Sequence, residues 1–280
     1  MWNVRLAINA NPRLPMSVED QIRLFHKIGF DGVFLGWTPD TDLKYYQALT
    51  QELGMQIQSV HAVFGRVHKL WQPFDDTQEV LQEQLQCLRD SAAIGAPIVV
   101  CHTFIGFKDH TPTQFGIENF RVMVDEAKKL GIKIAFENTE GEEYLAALME
   151  AFRDEPHVGF CWDTGHELCY NHSQDLIAKY GDRLLCTHLN DNLGIRDFGG
   201  EITPRDDLHL LPFDGIADWD DIAARLRRCG YHDYLTFELK LPTTLAQSEM
   251  QIYGQLTVEE YFTQAYMRAC RVAAKFSLQK

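Results

Sequence analysis

Short apolar runs alternate with amphipathic stretches from one end of the chain to the other. VRLAIN at 4–9 is followed by SVEDQIRLFHKIG at 17–29, which has helical spacing, opens on Ser and closes on Gly. GVFLGW, ending at Trp37, precedes a helical pattern near 42–54 and an apolar run at 55–61. Helical patterns near 76–95, 113–131, 141–154, 171–181, 217–230 and 257–275 then interleave with runs at 97–102, 132–137, 157–163, 184–188 and 233–238. The pattern predicts eight strands and eight helices. Gly29, Gly54, Gly95, Gly131 and Gly230 stand where five of the helices should stop, because glycine tolerates the left-handed conformation of a helix C-cap.

Strict alternation of this kind predicts a parallel sheet, and eight units predict that the sheet closes. The fold class expected is α/β, a (β/α)8 TIM barrel, with 1–280 as one domain. An open, doubly wound sheet would show a Gly-rich phosphate loop after an early strand, and the chain has none. No linker or low-complexity tract interrupts the pattern. Two stretches that follow strands are long, 189–216 and 239–256. Both should lie on the C-terminal face of a barrel, where such folds place their chemistry.

Six of the apolar runs end in a residue that can bind a metal or move a proton: His61, His102, Glu137, Asp163, His188 and Glu238. Residues two apart on a strand share a face. Two positions back stand Ser59, Val100, Ala135, Cys161, Cys186 and Thr236, all small or medium. They suit an interior layer beneath a polar ring. Glu137, Asp163, His188 and Glu238 come from four successive strands and form an oxygen-rich set. It suits one divalent metal ion, Mg²⁺ or Mn²⁺, with Zn²⁺ or Co²⁺ as alternatives. Without a cation the three carboxylates would repel one another. His166 follows in DTGH, and Asp207 and His209 form a DxH pair in the long seventh loop. With His61 and His102, these could bind substrate hydroxyls or further metal.

A lone His or Glu at a strand end is more often an ordinary satisfied polar group than a ligand. The functional reading rests on the number gathered at one structural level. His26, His68, His110, His157, His172 and His232 lack that setting and read as surface or loop residues. Trp37, Phe64, Trp71, Phe74 and Phe107 should fall near the same face, as pocket walls or as plain packing. So should Arg66, Lys69, Lys108, Arg196, Arg205 and Lys240, of which a subset could grip an anionic group.

Composition narrows the options. Hydrophobic residues at 45% and charged residues at 24% are ordinary for a globular protein. No apolar run approaches the roughly 20 residues of a membrane span, and the first residues lack the features of a signal peptide. The seven cysteines form no CxxC pair. Cytoplasmic localisation and reduced cysteines are expected. A net charge of −14 makes nucleic acid an unfavourable partner. Homo-oligomerisation stays open, with the 239–256 segment, which carries Leu245, Met250, Ile252 and Tyr253, as a lid or an interface strip.

AFEN (135–138), WDTGH (162–166), THLNDN (187–192), DLHLLPFDGIADW (207–219) and FEL (237–239) together resemble the xylose isomerase-like TIM-barrel superfamily. The resemblance covers nearly the whole chain. Its sugar isomerase and epimerase branch includes enzymes similar to inosose isomerase, hydroxypyruvate isomerase and the ketose 3-epimerases. It implies metal ligands at Glu137, Asp163, His188 and Glu238, and a substrate-binding histidine at His166. PFDG stands here where PGxG is commoner in that branch.

A divalent-metal-dependent sugar, sugar phosphate, cyclitol or keto acid isomerase or epimerase is therefore expected. It would act by proton transfer through a metal-bound enediolate, with Glu137 and Glu238 as the bases. His61, His102, His166, Arg196, Asp207 and His209 would serve the substrate, a small polyhydroxy carbonyl compound. The other branch resembles endonuclease IV, an apurinic-site phosphodiesterase with a multinuclear zinc site. Its nine ligand positions can be filled by His61, His102, Glu137, Asp163, His166, His188, Asp207, His209 and Glu238. The loop GWTPDTD after the second strand is acidic, unlike a surface that tracks phosphates. A sugar-binding barrel without turnover is a third reading.

Overall fold

The computed structural model describes residues 4–108, 111–195, 201–241 and 253–278. Eight parallel strands alternate with helices: β1 (Leu6–Ala10), β2 (Gly32–Gly36), β3 (Gln56–His61), β4 (Ile98–His102), β5 (Lys133–Glu137), β6 (Val158–Asp163), β7 (Leu184–His188) and β8 (Leu235–Phe237). They run in the order β7-β6-β5-β4-β3-β2-β1-β8. A parallel bridge between Leu189 and Phe237 joins the two ends into a nearly closed barrel. Leu189 N donates to Thr236 O at 2.8 Å and Glu238 N to Leu189 O at 3.2 Å. The expected TIM barrel is the fold observed.

Strand parity sorts the side chains into two cores. Ile98, Val100, Ala135, Cys161 and Cys186 form a small apolar cluster of their own. With Ser59 and Thr236, both fully buried, they match the expected layer beneath the strand ends. The alternate residues face the helices. Phe136 meets Phe120 edge-on at 5.6 Å, and Phe160 meets Tyr180 at 5.5 Å. Burying a side chain of this size contributes about 1.5–3 kcal/mol, so this outer core carries much of the stability.

The helices are α1 (Val18–Ile28), α2 (Leu43–Glu52), α3 (Thr77–Ala93), α4 (Gln114–Leu130), α5 (Glu142–Ala151), α6 (Thr164–Cys169), α7 (Leu176–Tyr180), α8 (Trp219–Arg228) and α9 (Val258–Leu278). Ser17 caps α1 by accepting from Asp20 N at 3.0 Å. All five glycines expected to end helices carry positive φ. On the last helix, α9, Phe262 meets Phe25 of α1 edge-on at 4.7 Å. No described helix is long and apolar enough to cross a membrane.

Two expectations need correction, and a third is decided between its alternatives. The helix expected at 171–181 is reduced to α7, and α6 is an additional turn that starts directly on DTGH. The eighth strand is only three residues long, so Glu238 lies one residue past it. Trp37 is buried, and its indole donates to Asp90 of α3 at 2.9 Å. It therefore belongs to the helix layer. Phe34 is the β2 side chain that enters the mouth, stacked on His188 at 4.6 Å.

Candidate metal centre and active site

β5, β6, β7 and the residue after β8 deliver Glu137, Asp163, His188 and Glu238 to one point. One potential ligand atom from each lies within 4.8 Å of all the others. Glu137, Asp163 and His188 are fully buried, and Glu238 is mostly so. His188 Nδ1 sits between the two glutamates, 3.0 Å from Glu137 Oε1 and 3.1 Å from Glu238 Oε2. The other oxygen of Glu137 faces His61 Nε2 at 3.2 Å and His102 Nε2 at 3.4 Å. His61 Nδ1 is turned to Ala62 O at 2.8 Å.

Asp163 does two jobs. As the N-cap of α6 it accepts from His166 N at 2.7 Å, and Asn190 Nδ2 donates to both its oxygens at 3.0 and 2.9 Å. Gly165 makes room for that amide, since a Cβ there would run into Asn190 Oδ1. His166 Nδ1 is 2.9 Å from Asn138 O, which leaves Nε2 facing Asp207 Oδ1 at 3.4 Å. His209 Nε2 approaches the same oxygen at 2.8 Å, and its Nδ1 is 3.1 Å from Glu238 O. Lys240 Nζ holds the other Asp207 oxygen at 2.7 Å.

The seventh loop is held in place by Asp191. Its buried carboxylate accepts from Phe213 N at 2.9 Å, Ala217 N at 3.0 Å and Trp219 Nε1 at 2.9 Å. Gly215 packs so tightly against Asn192 O and Asp191 Oδ1 that no side chain fits. Phe213, at the position where PGxG carries glycine, sits at φ +74°. A non-glycine residue there costs about 1–2 kcal/mol. It is offset by the contact with the Trp219 ring at 5.5 Å and the Arg271 guanidinium at 3.9 Å.

These charges tune one another. Burial alone would raise the Glu137 carboxyl, yet His188, His102 and His61 hold it well below the usual carboxylate range. Burial likewise opposes ionisation of Glu238, and His209 and His188 outweigh it. Burial disfavours charge on His188, but Glu137 and Glu238 lift its pKa well above the ordinary imidazole value. His166 is raised in the same way by Asp163 and Asp207. His102 is lowered, chiefly by burial, and Asp163 is raised by burial despite His166 and His209. Three carboxylates and an imidazole in one buried point form a donor set suited to a divalent ion, which would relieve their mutual repulsion. His61, His102 and Glu137 form a second group with metal-ligand spacing, and Asp163, His166 and His209 a third.

Every sequence-predicted site residue among those described reaches this mouth, and Arg196 lies outside the described residues. Phe64 is the aromatic wall, stacked on His102 at 4.2 Å and 40% exposed. Phe107 packs on Tyr170, which stacks on His166. Trp71 is buried under the next loop, and Phe74 packs beside His68 and Lys69, away from the cluster. Arg66 is bound to Asp76, Glu79 and Glu83, and Lys69 to Asp76. Lys108 and Arg205 are exposed. Sequence reasoning missed Phe34, Asn138, Asn171, Asn190 and Asp191. Asn138, Asn190 and Asp191 sit near ligands in AFEN and THLNDN, the available signal, whereas Phe34 and Asn171 carry none.

The chain resembles proteins of known structure along its whole length. The IOLI protein, crystallised with a zinc atom, matches at a TM-score of 0.77 and 20% identity over 98% of this chain and 99% of that one. D-psicose 3-epimerase from Clostridium cellulolyticum, solved with D-tagatose, matches at 0.75 and 14% identity over 98% and 100%. At these identities the likeness shows the fold. An uncharacterized protein of Sinorhizobium fredii, y4fM, is 28% identical over 90% of this chain and 92% of its own. The model of the family described as xylose isomerase-like TIM barrel matches residues 22–256, and the chain belongs to that family.

Proposed function

We propose that the protein is a divalent-metal-dependent isomerase or epimerase of a small polyhydroxy carbonyl compound: a sugar, sugar phosphate, cyclitol or keto acid. The observation that carries this reading is the pair of glutamates, Glu137 and Glu238, flanking His188 Nδ1 at 3.0 and 3.1 Å in the mouth of the barrel. Glu137, Asp163, His188 and Glu238 would hold the ion. When bound, it would polarise a substrate carbonyl and acidify the neighbouring C–H.

The chain's own residues would do the rest. One glutamate removes the proton beside the carbonyl, giving an enediolate, and a carboxylate returns it. Return to the adjacent carbon, with the hydroxyl proton passing between the two oxygens, isomerises, and return to the opposite face of the same carbon epimerises. Both groups are held ionised by neighbouring imidazoles, so either can act first as the base, and for epimerisation the opposite carboxylate would take from solvent the proton it delivers. His61, His102, His166, Asp207 and His209 would bind substrate hydroxyls. Phe64 offers a flat apolar surface for the carbon face of a sugar. The solved relatives that are sugar epimerases support this substrate class.

The test is Glu137→Gln and Glu238→Gln, assayed against ketoses, aldoses and cyclitol ketones with Mn²⁺. Turnover should fall by at least about 10²-fold in each, while circular dichroism stays unchanged. Near-normal activity in both variants would exclude the base assignment.

One observation favours a second reading. All nine residues that fit the endonuclease IV pattern are gathered in the mouth, in overlapping groups with metal-ligand spacing. Cleavage of an abasic-site duplex by zinc-loaded protein would support it. The net charge of −14 weighs against duplex binding.

A further inference from the structure

Asp207 is shared between two kinds of partner. Its Oδ1 faces His209 Nε2 at 2.8 Å and His166 Nε2 at 3.4 Å. That oxygen is sealed from solvent and has no well-directed hydrogen bond. Each ring commits its other nitrogen to a backbone carbonyl, His166 to Asn138 and His209 to Glu238. Two imidazole nitrogens and a carboxylate oxygen therefore converge, a donor set with the chemistry of a metal site. Asp163 groups with the same histidines and also with Glu137, His188 and Glu238. Asp163, His166 and His209 have metal-ligand spacing and Asp207 touches both histidines, so a second cation position would adjoin the first.

That position already has a positive charge beside it. Lys240 Nζ lies 2.7 Å from Asp207 Oδ2. The lysine's backbone is fixed on both sides of its peptide. Lys240 N donates to His209 O at 3.2 Å. The preceding residue exchanges a pair of bonds with β1: Leu239 N donates to Asn9 Oδ1 at 2.9 Å, and Asn9 Nδ2 to Leu239 O at 3.0 Å. The ammonium is thus delivered to Asp207 by the same stretch after β8 that delivers Glu238.

We propose that Lys240 is the built-in cation of this second donor set and restricts the centre to a single divalent ion. The inference rests on the metal-centre reading above. An ammonium and a divalent ion compete for the same carboxylate, and two cations a few ångströms apart repel, although the Lys240 side chain is 43% exposed. With Lys240 in place, Asp207, His166 and His209 stay available to bind substrate hydroxyls. Without it, they become ligands. A single lysine would then separate one-ion proton transfer from the multi-ion centres that suit phosphodiester cleavage.

The test is metal stoichiometry. Wild type, Lys240→Met, Lys240→Gln, Lys240→Arg and the double variant Lys240→Met/His209→Ala are stripped with chelator, equilibrated with Mn²⁺ or Zn²⁺, desalted and measured by elemental analysis. The expected content is about one ion per chain for wild type and Lys240→Arg, about two for both neutral variants, and about one again for the double variant. In the neutral variants, spin-coupled Mn²⁺ pairs should appear in the electron paramagnetic resonance spectrum. Neutral variants that still hold one ion, or a wild type that already holds two, would overturn the proposal. A wild type that holds none would instead overturn the metal-centre reading beneath it.

Discussion

Asn138 and Asp163 are clamped together by a reciprocal pair of hydrogen bonds. Asp163 N donates to Asn138 Oδ1 at 2.8 Å, and Asn138 Nδ2 donates back to Asp163 O at 2.9 Å. The side-chain amide thereby takes the place of a neighbouring strand, continuing the β5–β6 pairing one residue beyond Glu137. Asn171 Oδ1 accepts from the same Nδ2 at 2.9 Å, and Asn171 Nδ2 donates to Thr139 O at 2.9 Å. The angle at which Asp163 enters the centre is set by this chain of amides.

Asn138→Ala should therefore act on both stability and the centre. Two buried backbone groups lose partners, at about 1–3 kcal/mol each. Affinity for a divalent ion should fall about 10–100-fold, as for other residues that orient ligands. Thermal melting and a metal titration on the same sample check both. A loss of stability with unchanged metal affinity would show that the clamp does not position Asp163.

A second buried interaction ties the start of α6 to α8. Arg225 binds both oxygens of Glu167 at 2.7 and 2.8 Å and lies 4.5 Å over the Trp162 ring, while Trp162 Nε1 donates to Glu167 at 2.9 Å. Arg225→Met leaves the buried Glu167 charge without its main counterion and should cost about 3–5 kcal/mol. Arg225→Met/Glu167→Leu should recover most of that loss. Denaturant unfolding of the two variants is the check. A double variant no better than the single would contradict the ion-pair account.

The pH dependence of stability should reverse on metal loading. In metal-free protein, burial opposes charge on His188, but Glu137 and Glu238 raise its pKa well above 6.5. A raised imidazole pKa contributes stability that is fully present below 6.5 and is lost as pH climbs through the folded value. A bound ion instead requires the neutral ring, so its affinity grows over the same rise in pH. Melting temperatures of chelated protein should fall as pH increases above neutrality, and those of Mn²⁺-loaded protein should rise. Parallel slopes would mean that His188 is not a ligand.

What could be read from sequence was what is local. An apolar run that ends in His, Asp or Glu declares both a strand and the level of its last residue. The barrel, its small interior layer and the cluster around Glu137 follow from that signal. β2 carries no such signal: its run continues to Trp37, and the inward side chain is Phe34. An apolar run of mixed aromatics does not show which face is which. The supporting residues were less legible, because Asn190 matters only once β6 and β7 lie side by side. Lys240 was one of several cations in loops. Only the fold shows that Arg66 is bound by its own neighbours while Lys240 meets Asp207.

The proposed role of this mouth is to move a proton to and from carbon with the help of a divalent ion. Chelated and Mn²⁺-restored protein should be incubated with ketoses and cyclitol ketones in heavy water, and carbon-bound deuterium followed by NMR. Deuterium is expected at the carbon next to the carbonyl with Mn²⁺ present, and none with chelated protein or Glu137→Gln. Product that forms without deuterium, or that forms equally well without a divalent ion, would contradict it.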